Sequence, residues 1–161
     1  MRLYHGGCQI IEKPNCSIGR DGLDFGKGFY TTLLKQQAID WATQIAINRH
    51  SKTAVLNVYE FDSEVAKANH RYLQFPHYNH EWLNFIVANR SGSNQWRQYD
   101  FIEGGVANDR IIDTIRLYML GEIEFEAALN RLASHQPNHQ LCIIKQNIAD
   151  KHLKFIESVI L

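Results

Sequence analysis

Two glycine-containing stretches of the sequence have the residue types that a flat ligand would need. The first is His5-Gly6-Gly7 near the amino terminus, and the second, FGKGFY, ends at Tyr30. Glycine has no side chain, so a ligand can approach the backbone amides of either stretch unhindered. Tyr30 would then lie beside that ligand. The alternative interpretation is mechanical, since tight turns that lead into strands are also rich in glycine.

Two later residues strengthen the chemical interpretation. Trp41 lies eleven residues after Tyr30, inside a predicted helix, and Gln140 begins a late predicted strand. A lone histidine such as His5 is more often structural. We treat it as a site candidate because Tyr30, Trp41 and Gln140 accompany it. The four side chains therefore form the first candidate site, although the sequence separates them widely.

The histidines and cysteines do not favour metal ligation. His77 and His80 lie three residues apart, with His70 before them, but no carboxylate or cysteine completes a familiar ligand spacing. The three cysteines show no paired spacing that would indicate a zinc site or a disulfide framework. We therefore predict no metal, and we expect these histidines to lie at the surface or to face a partner.

The charge balance argues against a nucleic-acid partner. Among 161 residues, 17 are Lys or Arg and 17 are Asp or Glu, so the net charge is zero and no basic stripe is visible. No apolar run approaches the roughly 18 residues of a membrane span, and the first residues lack the apolar core of a signal peptide. We expect a cytoplasmic protein with a small or mixed-charge partner and no membrane partner.

The predicted elements mix strands and helices without regular βαβ alternation, which favours an α+β fold. The clearest strand is 54–61, apolar on both faces, and the clearest helix is 35–50. No linker or repeat divides residues 1–161, so we predict one domain. Other strands are predicted at 2–4, 29–32, 99–103 and 140–144, and other helices at 81–89, at 110–120 and from 125. Loop is predicted at 9–27 and around Pro76, and an apolar run closes the sequence at 153–161.

The order of these motifs resembles the ADP-ribosyltransferase superfamily, on the branch that contains diphtheria toxin and the poly(ADP-ribose) polymerases. In that branch an apolar strand ends in His-Gly, as Leu3-Tyr4-His5-Gly6 does, and a run similar to FGKGIYF follows, as at Phe25–Tyr30. A second aromatic comes eleven residues later, where this chain has Trp41, and an acidic residue opens a late strand, where it has Gln140. The stretches YHG, DFGKGFYTT and VANDR are also similar to a family of uncharacterised bacterial domains grouped in that superfamily.

The resemblance implies a single ADP-ribosyltransferase-like domain, with a split antiparallel β-sheet core and flanking helices, that uses NAD as a substrate and needs no metal. The nicotinamide ring would stack between Tyr30 and Trp41, and the Gly6 backbone would pair with its carboxamide. His5 would hydrogen-bond a ribose hydroxyl on the adenosine side. Ala38 stands where a serine often adds one more contact to the carboxamide.

Gln140 departs from the superfamily pattern because a neutral amide replaces a carboxylate. The amide can still hold a ribose hydroxyl, but bond cleavage develops positive charge on that ribose, which a carboxylate stabilises. Loss of one such contact typically lowers the rate by about 10²–10³. Another acid could take the role, and Asp100, Glu103 and Asp109 cluster in YDFIEGGVANDR. We favour turn and helix-cap roles for Asp100 and Asp109, whereas Glu103 stays open between a catalytic and a structural role.

Several functions are open at this point. The leading one is a mono-ADP-ribosyltransferase with an unknown macromolecular acceptor, in the manner of a toxin or effector. The second is a weak or inactive relative that only binds NAD or ADP-ribose. A third is an RNA 2′-phosphotransferase-like enzyme, which the neutral charge disfavours, and the simplest is a structural α+β domain. The catalytic candidates are His5, Tyr30, Gln140 and Glu103.

Overall fold

This computed structural model describes residues 1–106, 109–133 and 138–161, and only the backbone of residues 109 and 110. Seven strands and six α-helices lie within these residues. The strands are β1 (Arg2–Gly7), β2 (Phe29–Thr31), β3 (Val55–Phe61), β4 (Tyr72–Phe75), β5 (Phe101–Gly104), β6 (Gln140–Ile143) and β7 (Leu153–Ile160). The helices are α1 (Lys35–Asn48), α2 (Ser63–Asn69), α3 (His80–Arg90), α4 (Asp109–Met119), α5 (Phe125–Ala133) and α6 (Gln146–His152). None of these six helices is long and apolar enough to cross a membrane.

The strands form two sheets that meet at one bridge. The first sheet is antiparallel with the order β1-β3-β7, and the second has the order β2-β6-β5-β4, with β4 and β5 parallel. Tyr4 and Thr32 join the sheets through an isolated antiparallel bridge with N–O distances of 2.8 and 2.9 Å. These helices and mostly antiparallel sheets confirm the predicted α+β fold.

Several elements differ from their predictions because distant strands stabilise them. β1 continues through His5, Gly6 and Gly7, since β3 pairs with it as far as Val55. The segment before Pro76, predicted as loop, forms β4, which pairs in parallel with β5. Helices α2 and α6 lie where the sequence pattern predicted no helix. The composition of these segments did not predict the two strand differences, because strand formation depends on neighbouring strands in the sheet.

The four-stranded sheet is buried on both faces. On one face, Ile102 and Cys142 pack with Trp82 of α3 and with side chains of α4 and α5. On the other face, Leu141 and Ile143 pack with side chains of β1, β3, α2 and α6. Successive side chains of a strand point to opposite faces, so this double burial fixes the register of β6 and the face that each of its residues occupies.

Helix α1 lies very close to β1 because both contribute small residues to the contact. Ala38 and Ala42 are buried on the helix side, and Gly6 lies opposite them on the strand. A Cβ atom at Gly6 would lie 2.0 Å from the Ala38 carbonyl oxygen and 2.9 Å from the Ala42 nitrogen. No side chain fits between these backbones, so packing alone requires glycine at this position.

The close approach of α1 predicts that Gly6→Ala lowers the free energy of unfolding by about 1–3 kcal/mol or more, because the new methyl group must displace helix backbone. Gly7→Ala is the matched control, since the nearest atom to its new Cβ would be His5 Nε2 at 3.4 Å, an ordinary contact. Urea unfolding of wild type and both variants measures the difference. Equal destabilisation by the two substitutions would contradict this packing.

Candidate functional site

The candidate site begins where the two sheets separate beyond the Tyr4–Thr32 bridge. If the bridge continued as a ladder, Gly6 would face Tyr30, but β1 stays paired with β3 and β2 with β6. Both backbone groups of Tyr4 bond to Thr32, and strand residues alternate in the direction of these groups. Gly6 therefore directs its N–H and C=O away from β3, and Tyr30 directs its own groups towards β1. Backbone groups from both sheets line the gap.

His5 spans this gap with one hydrogen bond. Its Nδ1 lies 2.7 Å from the Tyr30 carbonyl oxygen, which can only accept, so Nδ1 carries the hydrogen and Nε2 of the neutral ring is an acceptor. The ring stacks on Phe29 with the centroids 4.6 Å apart. Burial lowers the pKa of His5, and the bond to the Tyr30 carbonyl opposes this effect only in part. The ring is therefore neutral at pH 7.

Tyr30 uses its hydroxyl to hold the glycine motif that precedes it. The hydroxyl donates to the Gly26 carbonyl at 2.6 Å and accepts from the Phe25 N–H at 3.1 Å. Burial raises the pKa of Tyr30 far above its ordinary value, so the phenol stays protonated. Because the hydroxyl proton is used inside the loop, the ring is the part of Tyr30 that can serve a ligand.

Packing explains both glycines of the FGKGFY motif. Gly26 has φ +78°, and the Trp96 indole lies where a side chain would be, 2.2 Å from an ideal Cβ. A Cβ at Gly28 would lie 2.5 Å from the Cys142 sulfur of β6. The motif is anchored further at Asp24, whose Oδ1 accepts from Nε and Nη2 of Arg90 at 2.8 and 2.6 Å. The motif therefore forms an anchored loop directly before Tyr30 of β2.

Gln140 lies on the same sheet face as Tyr30. β2 and β6 pair Tyr30 directly with Cys142, and residues two apart in a strand share a face. Tyr30 and Gln140 are thus diagonal neighbours, roughly 7–8 Å apart and within reach of long side chains. Gln140 is 7% exposed, and its Nε2 has no hydrogen-bond partner among the described residues. An acceptor brought within hydrogen-bond reach would satisfy this amide N–H.

Trp41 shares a face of α1 with Gln37. It is 54% exposed, so its indole is not part of the core. Gln37, four residues earlier, bonds to the backbone of His139 through both atoms of its amide. Residues four apart lie on one face of a helix, so Trp41 projects from the side of α1 whose Gln37 binds His139.

Glu103 lies on the opposite face of the second sheet. β5 and β6 pair Glu103 with Leu141 and Gly104 with Gln140, so the Glu103 side chain shares the Leu141 face. Burial by itself would raise the pKa of Glu103, but hydrogen bonds from His139 and Tyr72 and the nearby Lys67 outweigh it and lower the pKa to about 2. The structure therefore does not bring Glu103 to the face that carries Tyr30 and Gln140.

The other acids of the cluster differ in what the structure describes. Asp100 has a structural role: its Oδ2 accepts from the Arg71 N–H at 2.9 Å, and its carbonyl accepts from the N–H groups of Ile144 and Lys145. Asp100 thus joins the starts of β4 and β5 to the end of β6, rather than simply closing a turn. Helix α4 begins at Asp109, whose side chain lies outside the described residues.

The three singled-out histidines lie apart from the gap. His70 Nε2 is 3.0 Å from His152 Nε2, His80 lies 3.6 Å from a Glu126 oxygen, and His77 is exposed. Within the described segments, no group of three or more metal-ligating side chains comes together. These histidines therefore bind other parts of the surface and not a common centre.

Sequence reasoning missed His139 and Gln37. The His139 ring bonds to Glu103 and to the Leu33 N–H, and Gln37 holds the His139 peptide groups. Neither residue belongs to a recognisable spacing. The one available signal was the position of His139 directly before Gln140.

The chain belongs to the family described as protein of unknown function (DUF3990), whose model matches residues 1–155. Neither the curated proteins nor the solved structures gave a match. The matched segment includes the four residues around the gap, His5, Gly6, Tyr30 and Gln140, and also Trp41.

The low pKa of His5 predicts a pH dependence of stability. The unfolded chain binds a proton at this site more readily than the folded chain, so His5 contributes stability above about pH 6.5 that is lost as the pH falls below it, by at most about 1.4 kcal/mol per pH unit. His5→Asn keeps a donor for the Tyr30 carbonyl but does not titrate. The free energy of unfolding should therefore fall less steeply in this variant between about pH 7 and pH 5.

Urea unfolding at several pH values measures both slopes. His152, whose pKa is lowered by burial and by His70, adds a dependence of the same sign to both proteins. Identical slopes for wild type and His5→Asn would mean that His5 does not titrate as its burial requires.

Proposed function

We propose that this chain binds NAD in the gap between its two sheets and transfers a single ADP-ribose group to a macromolecular acceptor. The observation that carries the proposal is the buried Gln140 amide, whose Nε2 lacks a partner among the described residues and which shares a face with Tyr30. A buried donor left unsatisfied costs about 1–3 kcal/mol, and a ribose hydroxyl supplies an acceptor for it. The likeness of the motifs to ADP-ribosyltransferases supports NAD as the ligand.

Gly6 has the geometry to recognise the nicotinamide carboxamide. Its N–H and C=O point away from β3 into the gap, where β2 no longer accompanies β1. A primary carboxamide carries the same pair of donor and acceptor as a peptide group. It can therefore continue the strand pairing at the point where the protein strands separate.

The aromatic and imidazole groups suit the rest of the ligand. The Tyr30 ring is held by its own hydroxyl bonds, and the exposed Trp41 indole lies on the face of α1 that carries Gln37. Aromatic faces are electron-rich and attract a flat cationic ring. His5 Nε2, as the acceptor of the neutral ring, can take a hydrogen bond from a ribose hydroxyl.

NAD would supply the bond that breaks, between a ribose carbon and the ring nitrogen of nicotinamide. Nicotinamide leaves with the bonding electron pair, the acceptor nucleophile bonds to the same carbon, and its proton passes to solvent. Gln140 would hold a hydroxyl of that ribose, while Gly6 and the two aromatic rings keep the leaving group in place. The protein thus contributes mainly orientation.

The neutral Gln140 also favours a second candidate function, a module that binds NAD or ADP-ribose with slow turnover or none. An amide does not supply the counter-charge of a carboxylate. Glu103 is not available for this role in the described arrangement, because hydrogen bonds and Lys67 hold it on the other sheet face.

Replacement of Gln140 by glutamate tests the two candidates. Gln140→Glu restores a charge in nearly the same volume, so nicotinamide release from NAD should rise about tenfold or more, which needs only about 1.4 kcal/mol of transition-state stabilisation. Burial raises the pKa of a carboxyl, so the gain should increase with pH. Gln140→Ala should lower binding or turnover.

The matched control for charge is Glu103→Gln. An active wild type that keeps its NAD affinity but loses its turnover in Glu103→Gln, with no gain in Gln140→Glu, would place the catalytic acid in the FIEGG strand and contradict our assignment. NAD binding without nicotinamide release in the wild type and in Gln140→Glu would support the binding module. No NAD binding in the wild type would remove both candidates.

Trp41→Ala tests the second stacking surface. Because Trp41 is exposed, its loss should change the free energy of unfolding little, yet it should weaken NAD binding by about 1–3 kcal/mol, by analogy with base stacking. Ile47→Ala is the control, since Ile47 is also exposed on α1 but lies near its far end. Calorimetry with NAD measures both. Equal affinities of Trp41→Ala and wild type would remove Trp41 from the site.

A further inference from the structure

His139 lies at the junction of the elements that carry the site. Its N–H donates to Gln37 Oε1 at 3.3 Å, and its carbonyl accepts from Gln37 Nε2 at 2.8 Å. Its ring lies 3.0 Å from the Leu33 nitrogen at Nδ1 and 3.0 Å from Glu103 Oε1 at Nε2. Four contacts thus tie the residue before Gln140 to α1, to β5 and to the link between β2 and α1.

These partners permit one tautomer of the His139 ring. The Leu33 N–H can only donate, so Nδ1 accepts and carries no hydrogen. An ionised carboxylate can only accept, so Nε2 carries the hydrogen that it donates to Glu103. The ring is therefore a fixed connection between β5 and the backbone that leads into α1.

Glu103 is itself held rigidly. The Tyr72 hydroxyl of β4 donates to its Oε2, and Lys67 of α2 lies 3.4 Å from the same oxygen. The Lys67 ammonium also lies over the Tyr72 ring, 4.6 Å from its centroid. With both oxygens engaged and only 7% of its surface exposed, Glu103 gives His139 a partner of fixed position.

We infer that His139 is a positioning residue which, together with Glu103, holds Gln140 at a fixed distance from Trp41. Gln37 and Trp41 share a face of α1, and Gln37 binds the peptide groups next to Gln140. The inference rests on the proposed function, because it concerns the same site. Glu103 thus acts on the site through His139, from the opposite face of the sheet and without contact with the ligand.

Two isosteric substitutions separate the halves of this connection. His139→Asn keeps an acceptor near Nδ1 and loses the bond to Glu103, whereas His139→Gln keeps a donor near Nε2 and loses the bond from Leu33. Gln146→Ala is the control for general destabilisation. Gln146 bonds to the Cys16 N–H and the Pro14 carbonyl, at the opposite end of β6 from Gln140.

Hydrogen exchange without NAD provides the first measurement. Both His139 variants should raise amide exchange about tenfold in 138–142, and His139→Gln should also raise it in 33–41, because that variant loses the bond from the Leu33 N–H. Gln146→Ala should raise it in neither. In His139→Gln, an increase confined to 138–142 would overturn the inference, since α1 would then not depend on His139. If that variant does not fold, unchanged exchange of 138–142 in His139→Asn would overturn it.

NAD affinity provides the second measurement. His139→Asn and Glu103→Ala should each weaken NAD binding about tenfold. The double variant should bind NAD no more weakly than the weaker-binding single variant, because both substitutions remove the same hydrogen bond between His139 and Glu103. Additive losses would overturn the inference. If the wild type binds no NAD, the proposed function fails, and the exchange experiment alone still decides whether His139 couples Gln140 to α1.

Discussion

The Tyr4–Thr32 bridge is the contact on which the rest of the arrangement depends. Two backbone hydrogen bonds join the sheets, and beyond them β1 follows β3 while β2 follows β6. The two sheets share one core cluster, in which side chains of β1 and β3 pack against those of β2, β5 and β6, and each strand stays paired within its own sheet. The strands must therefore separate, and the backbone groups of Gly6 are left facing the gap.

Neutral groups line this gap, and the charged groups nearby are engaged elsewhere. His5 is kept neutral by burial, Tyr30 keeps its proton, and Gln140 carries no charge. Glu103 is ionised but lies behind the sheet, where His139, Tyr72 and Lys67 compensate its charge. Neutral groups bind and orient a ligand but do not stabilise a developing charge, which is why the proposed function depends strongly on the residue at 140.

Packing explains why glycine is required at three positions of the two glycine-containing stretches. Gly6 is required by the Ala38 carbonyl, Gly26 by the Trp96 indole and its positive φ, and Gly28 by Cys142. The mechanical interpretation is therefore sufficient for each of them. It does not compete with the chemical one, because the same packing that excludes side chains also holds His5 and Tyr30 in place. Glycine motifs of this kind indicate a ligand site only together with the side chains around them.

Hydrophobic spacing in the sequence was enough to predict the longer elements, since α1 and the two-sided burial of β3 follow from local patterns. The order of the motifs also predicted His5, Tyr30, Trp41 and Gln140 as one candidate site, which stays a prediction. Only the tertiary structure decided which side chains share a face, because that depends on the register between strands more than 100 residues apart in the chain, such as Thr31 and Leu141. The same register sent Glu103 to the opposite face and made His139 its partner, since alternation along a paired strand, and not residue type, determines which way each side chain points.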